Sequence, residues 1–288
     1  MLPSRFEYHR PDSLEEALQL LAQHGDEAKV LAGGQSLIPV MKLRLAAPAH
    51  LIDISRLGMD SIAEADGRLA VGALARHRDL ERSDLLKARY PVMAAAAPLI
   101  SDPIVRNLGT IGGSLCHADP AGDWGSVMLA LQATVVLRSG RGERELPISE
   151  FLEDTFTTAL EPDEILTEVR VPQPTGSSGG TYLKMERKVG DFATVATAIH
   201  LSLSDGTIER AGIGLTAVGS KNLLATDAEA SLAGAEPTEA AFAEAGRLAA
   251  EASSPVTDVR GSAEYKRHIV DVYVRRGLAT AREKARAA

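Results

Sequence analysis

Apolar and polar positions change their period along the chain, and the changes mark out two kinds of architecture. Near the start, Ser13 and Glu16 form a Ser-x-x-Glu capping box. Leu14, Ala17, Leu18 and Leu21 follow at i, i+3, i+4 and i+7, the stripe of an amphipathic helix that Gly25 closes. Short apolar runs then predict strands at Lys29-Val30-Leu31-Ala32, Leu51-Ile52-Asp53-Ile54 and Leu69-Ala70-Val71. Residues 83–100 read as helical, interrupted by Pro91 and Pro98. A strand-like lead occupies 108–111, a helix is predicted from near Asp119-Pro120 to Gln132, and the β-branched run from Thr134 to Leu137 is a further strand.

Pro172-Gln173-Pro174-Thr175-Gly176-Ser177-Ser178-Gly179-Gly180 is the clearest linker. Beyond it the runs lengthen. Residues 182–187, 194–204 and 207–218 read as long strands, and Asp205-Gly206 between the last two is a strong hairpin signal. Residues 238–252 and 262–286 are alanine-rich and helical. The chain is therefore expected to be α+β with a boundary near residue 176: a larger domain of short strands and helices over 1–176, then a small antiparallel sheet backed by helices over 177–288.

Composition narrows the function classes. The 288 residues suffice for two domains with proper cores. Hydrophobic residues make up 45% and charged residues 24%, which excludes a disordered chain. With aromatics at 4% and a net charge of −8, a base-stacking or phosphate-tracking nucleic-acid surface is not expected. The single cysteine, Cys116, excludes an internal disulfide and any iron–sulfur cluster held by four cysteines of this chain. A reducing, cytoplasmic setting fits, no secretory h-region is visible, and no apolar run is long enough to span a bilayer.

Two glycine pairs carry the candidate chemistry: Ala32-Gly33-Gly34-Gln35-Ser36-Leu37 and Thr110-Ile111-Gly112-Gly113-Ser114-Leu115. Paired glycines admit positive φ and let a backbone approach a ligand with no side chain between. Successive N–H groups in such a turn form an anion nest, to which the hydroxyls of Ser36, Thr110 and Ser114 add donors. Two nests together would suit a pyrophosphate; the alternative is that each pair only makes a tight turn. No Walker motif, no His-Glu-x-x-His and no Gly-x-Ser-x-Gly elbow is present. Gly212-Ile213-Gly214 lacks a strand–turn–helix context and reads as strand glycines. His117 beside Cys116 has no matching second pair, so no metal is expected.

Together with Tyr8-His9-Arg10-Pro11, Lys188-Val189-Gly190-Asp191-Phe192-Ala193-Thr194 and Ala263-Glu264-Tyr265-Lys266-Arg267, the glycine pairs resemble the FAD-binding medium subunits of molybdenum hydroxylases over essentially the whole chain. Within that family the resemblance is greatest to the medium subunits of aerobic carbon monoxide dehydrogenases. It implies a two-part FAD-binding domain of the PCMH/vanillyl-alcohol-oxidase type before the C-terminal domain. It also implies that Leu31, Ala32, Gly33, Gly34, Gln35, Ser36 and Leu37 bind the FAD pyrophosphate, with Thr110, Ile111, Gly112, Gly113 and Ser114 clamping it from the other side. Asp123 falls at an acidic FAD contact, Leu166 at a flavin or adenine edge, Lys184 near the flavin, and Ile100 among the cofactor-binding positions. Phe192 falls where relatives place a side chain over one flavin face, commonly a tyrosine, so gating that uses a hydroxyl is in doubt here.

The resemblance implies partners as well: a large molybdopterin-binding subunit, a small subunit with [2Fe–2S] clusters, and an external electron acceptor such as a quinone. It implies a dimer of heterotrimers and any membrane association made through partners. This chain would carry FAD alone and would supply no catalytic acid or base. Within the family, a complex for aldehydes or N-heterocycles is the alternative to carbon monoxide, and two other readings stay open on the residues: a stand-alone FAD-dependent oxidase or reductase, and a non-catalytic binding module. The C-terminal basic residues Lys266, Arg267, Arg275, Arg276, Arg282, Lys284 and Arg286 read either as a docking surface or as a solvated helix face.

Overall fold

In the computed structural model, which describes residues 2–287, the Ser13 box forms a helix over Leu14–His24. The Ser13 hydroxyl accepts from the Glu16 N–H, and Gly25 ends the helix at φ 51°. The reciprocal half of the box is displaced by one residue: the Glu16 carboxylate takes the N–H of Asp12. Ala17, Leu18 and Leu21 are buried against Ile52 and Ile54. This helix covers a three-stranded parallel sheet in the order Glu7–His9, His50–Asp53, Ala28–Leu31. Parallel strands need crossover connections, and the Leu14–His24 and Leu37–Lys42 helices lie within those crossovers.

A second sheet is antiparallel and five-stranded: Ile62–Ala65, Arg68–Gly72, Ile165–Pro172, Thr134–Ser139, Gly142–Pro147. The region 83–100 breaks at its prolines into Asp84–Arg89, Pro91–Ala96 and a 3₁₀ turn, Ala97–Leu99. The third sheet has the order Ser177–Met185, Val195–Ser204, Thr207–Thr216, Leu223–Leu224. Its hairpin turns at Asp205 and Gly206, both at positive φ (50° and 82°), as a two-residue hairpin of this hand requires.

Period-2 alternation gives this third sheet two dry faces. Tyr182, Ala196 and Ala198 join the core built on Trp124 and Val92. Ile199, Ile213 and Leu215 join the one built with Phe242, Val270 and Val274. The sheet is thus a shared middle layer, covered on one side by the helices Pro91–Ala96 and Asp123–Ala130 and on the other by Ala263–Ala287. Glycines permit the close approach. A Cβ on Gly212 or Gly214 would stand 2.0 Å from the carbonyl oxygen of Ala130 or Ser126, so Gly212-Ile213-Gly214 is strand, seated against a helix.

Three expectations change. The linker is shorter than its composition suggests, because the strand begins at Ser177 and only 173–176 connect the sheets. A Cβ on Gly179 would lie 2.1 Å from Ala281 O, so this glycine marks a close helix contact rather than slack chain. The lead over 108–111 is not a strand: only Thr110 bridges Arg76, and the helix Ile111–His117 follows at once. Thr110 is β-branched but acts as an N-cap, a use that local propensity does not reveal. The predicted helix start near Asp119 moves to Asp123.

Three of the seven C-terminal cations hold the last helix in place. Lys266 Nζ donates to Val256 O and pairs with Asp258, Lys284 Nζ donates to Gly180 O, and Arg282 binds Pro237 O and Glu239. Among the described residues no helix is long and apolar enough to cross a membrane.

Candidate cofactor-binding site

The first glycine loop leaves the end of the strand Ala28–Leu31, where the parallel sheet aims its C-terminal edge outward. Gly34 takes φ 72°, a conformation open to glycine at no steric cost. Among the described residues, the N–H groups of Gly33, Gly34, Gln35 and Ser36 donate to no protein group. Ser36 precedes the helix Leu37–Lys42, yet its hydroxyl caps nothing. Gln35 Nε2 folds back onto Gly33 O at 3.2 Å, bracing the turn. The loop is half-buried from Leu31 through Leu37, with its donors unspent.

The second loop is built differently. Ile111 N–H donates to Ala75 O and Gly112 N–H to Ala73 O. Thr110 Oγ1 accepts from Gly113 N–H at 3.2 Å. What remains for a ligand is the exposed, side-chain-free face of Gly113 and the hydroxyls of Thr110 and Ser114. The expected second nest of free amides is therefore absent, because those amides tie the loop to residues 73–75.

The two loops meet. A Cβ on Gly33 would lie 2.2 Å from Leu108 O and 2.8 Å from Gly109 Cα, and one on Gly113 would lie 3.8 Å from Ala32 Cβ. Under the second loop, Gly109 sits against the ring of His77, which accepts a hydrogen bond from Trp124 Nε1 at 3.0 Å. Burial pushes His77 down to about 4, so it is a neutral acceptor. Sequence reasoning missed His77 and Trp124; the one Trp in an aromatic-poor chain was the available signal.

A second group of candidates gathers around Lys184. Its side chain is 2% exposed, not on a solvated strand face, because its strand position points toward the N-terminal half. Lys184 Nζ donates to Leu99 O at 2.9 Å and to Asp123 at 3.1 Å. Asp123 also accepts from Tyr182 OH at 2.6 Å. Burial raises the Asp123 carboxyl above the usual carboxylate range against the opposing pull of Lys184. Asp123 is therefore the first residue of its helix while its carboxylate reaches across to the third sheet. Ile100 is buried beside Leu99 and Ser101, whose φ is 51°. Arg106 braces this turn through the carbonyls of Ile100 and Ser101.

Phe192 lies on the loop that follows Met185, and Gly190 of that loop packs on Ser101. Arg260 grips the loop, donating to Asp191 and to Phe192 O. The Phe192 side chain is 53% exposed, outside the core in which an apolar-strand aromatic usually sits. Leu166 is not brought to the surface: it is buried in the strand Ile165–Pro172, at a bulge facing Leu137. Burial pushes the Cys116 thiol up to about 12, and the ring of the neighbouring His117 lies against Phe156.

The arrangement offers a run of free amide donors beside a bare glycine face, and a second cluster in which Lys184 and Asp123 meet at Leu99, with the Phe192 loop packed nearby on Ser101. Spare donors and absent Cβ atoms fit the diphosphate of a dinucleotide. Comparisons agree. Residues 4–174 match the family described as the FAD binding domain in molybdopterin dehydrogenase. Residues 180–281 match the CO dehydrogenase flavoprotein C-terminal domain. The chain is 40% identical over 287 residues to the carbon monoxide dehydrogenase medium chain of Afipia carboxidovorans, covering 99% of this chain and 100% of that one. It is 39% identical over 288 residues to the 6-hydroxypseudooxynicotine dehydrogenase complex subunit alpha of Paenarthrobacter nicotinovorans, covering 99% and 97%. It superposes with a TM-score of 0.96 and 42% identity on a chain of the Hydrogenophaga pseudoflava carbon monoxide dehydrogenase that lacks the Mo-pyranopterin moiety, covering 99% of both. With both of its parts matched and its glycine cradle formed, the chain belongs to the FAD-binding subunits of the molybdopterin dehydrogenases, as an FAD-dependent oxidoreductase subunit.

Proposed function

We propose that the chain is the electron-transfer subunit of a molybdenum hydroxylase complex, with aerobic carbon monoxide dehydrogenase as the best reading. It takes electrons from [2Fe–2S] clusters of a small subunit and passes them to an external acceptor such as a quinone. A large molybdopterin-binding subunit oxidises the substrate, and the assembly is a dimer of heterotrimers. The observation that carries this reading is the run of unspent N–H donors from Gly33 to Ser36 on a loop that lies against a second one with no side chain at Gly113. In the proposed site, Leu31 through Leu37 bind the diphosphate and Thr110 through Ser114 close over it. Ile100, Asp123, Lys184 and Phe192 border the flavin, and Leu166 acts from beneath through packing. The chain divides its labour near residue 176, with 1–176 forming the FAD-binding domain.

FAD, when bound, accepts and releases electrons singly or in pairs. The chain's own residues bind and orient. Asp123 is held by Tyr182 and Lys184, and His77 by Trp124, so neither is placed as a free acid or base. Phe192 has no hydroxyl to donate and can only cover or uncover a flat ring. Substrate bond-breaking therefore lies in another subunit, and a single cysteine leaves the clusters to another subunit too. The near-equal likeness to a carbon monoxide dehydrogenase chain and a 6-hydroxypseudooxynicotine dehydrogenase chain fits that division, in which this chain does not meet the substrate.

The test is purification of the native complex with metal analysis and a visible spectrum. One flavin per chain with co-purifying molybdenum and iron supports the reading. Flavin with steady-state oxidase activity and no metals favours a stand-alone enzyme. No uptake of added FAD overturns the flavoprotein assignment.

A further inference from the structure

His9, His24 and His50 come from three separate elements and converge on one point, away from the glycine loops. His9 ends the first strand of the parallel sheet, His24 ends the helix Leu14–His24, and His50 opens the middle strand. One nitrogen of each ring lies within 4.8 Å of the other two. His9 Nε2 and His50 Nδ1 are 3.0 Å apart. The rings of His24 and His50 stack with centroids at 3.6 Å, and His9 and His24 at 5.2 Å. Glu7 places a carboxylate oxygen 3.6 Å from His50 Nδ1.

His9 and His50 are within hydrogen-bonding distance of each other, and the His24 ring stacks on both. Protonated, the three rings would repel one another. Neutral imidazole is the metal-ligating form. Tetrahedral zinc bound by nitrogens at its usual bond length sets them about 3.3 Å apart, within the spread observed here. His24 also occupies the last turn of its helix, where the backbone carbonyls favour a cation. All three histidines are half-buried, which leaves an entry path from solvent.

We propose that His9, His24 and His50 form a divalent transition-metal site for zinc, with the Glu7 carboxylate or water as fourth ligand. Three nitrogens and one oxygen suit zinc and exclude the hard cations magnesium and calcium. The metal would pin the end of the first helix to two strands of the sheet whose third strand, Ala28–Leu31, leads into the first glycine loop. Its role is structural, and it does not depend on the flavin assignment.

The test uses the untagged full chain, stripped with a chelator and titrated with zinc chloride by calorimetry. The expected result is one zinc per chain, at least about tenfold weaker in His24→Ala and His50→Ala. Far-UV circular dichroism checks that these variants fold. Cobalt chloride added to the wild type gives a reading independent of the variants: the site is expected to produce the intense visible bands of tetrahedral cobalt. Zinc should also raise the wild-type melting temperature, and not that of His24→Ala. No stoichiometric zinc uptake, or equal uptake by folded His24→Ala and wild type, or only the faint spectrum of hydrated cobalt, would each overturn the proposal.

Discussion

The two glycine loops look alike in sequence and do opposite things with their hydrogen bonds. In the first, Gly33 to Ser36 leave their N–H groups unpaired, and the Ser36 hydroxyl caps nothing. In the second, the N–H groups of Ile111, Gly112 and Gly113 are all taken, and Thr110 is a working N-cap. The first loop leaves its donors unspent, whereas the second uses its own to fix its position. A Gly-Gly-x-Ser or Gly-Gly-Ser string thus reports backbone permissiveness and does not say what the amides bond to.

That contrast is most severely tested where the loops touch. Gly33→Ala puts a methyl group against Leu108 O and must push the loops apart. It is expected to abolish flavin retention, read as loss of the visible flavin spectrum after gel filtration, with the three-stranded sheet still formed by circular dichroism.

The support beneath the second loop gives the next largest effect. Burial pushes the folded His77 down to about 4, below its ordinary value of 6.5. A base depressed by folding binds protons more tightly in the unfolded chain, so this stability is present above about pH 6.5 and lost as pH falls toward 4. The loss amounts to about 3 kcal/mol once both states are protonated. Denaturant unfolding of the flavin-free chain at pH 7, 6 and 5 should show the decline, and His77→Gln should flatten it. An unchanged slope in the variant would mean that other buried groups, His200 among them, carry the whole pH dependence.

Two smaller substitutions then separate the loops directly. Thr110→Val removes a cap and is expected to cost about 1 kcal/mol of stability in the flavin-free chain. Ser36→Ala removes a hydroxyl with no partner in the protein and should leave the flavin-free melting temperature unchanged while weakening FAD binding by about 1 kcal/mol, or roughly fivefold. Thermal melts without FAD and fluorescence titration with it distinguish the two. Equal destabilisation by both would erase the proposed difference between the loops.

Much of this protein is legible in its order of residues. The Ser13 box, the strands at Leu51 and Leu69, the breaks at Pro91 and Pro98 and the Asp205-Gly206 hairpin all follow from local rules. Each depends on residues near in sequence, where capping, ring constraint and side-chain period act without help. The glycine pairs pointed to the place where the two loops approach each other closely, because missing Cβ atoms are visible in any sequence.

What stayed hidden depends on partners far along the chain. Lys184 reads as an ordinary strand lysine until Leu99 O and Asp123, 85 and 61 residues away, close around it. Gly179 reads as linker until the last helix lies on it. Thr110 reads as strand until residues 73–75 take the neighbouring amides. His9, His24 and His50 share no spacing rule, and only the crossover of a parallel sheet brings them together. The sequence by itself determined the elements, the two-part plan and the bare backbone of the cradle, since these rest on short-range sterics and periodicity. Tertiary structure alone decided which donors remain free and which charges are paired, because satisfaction of a buried polar group is settled by whatever the fold places opposite it.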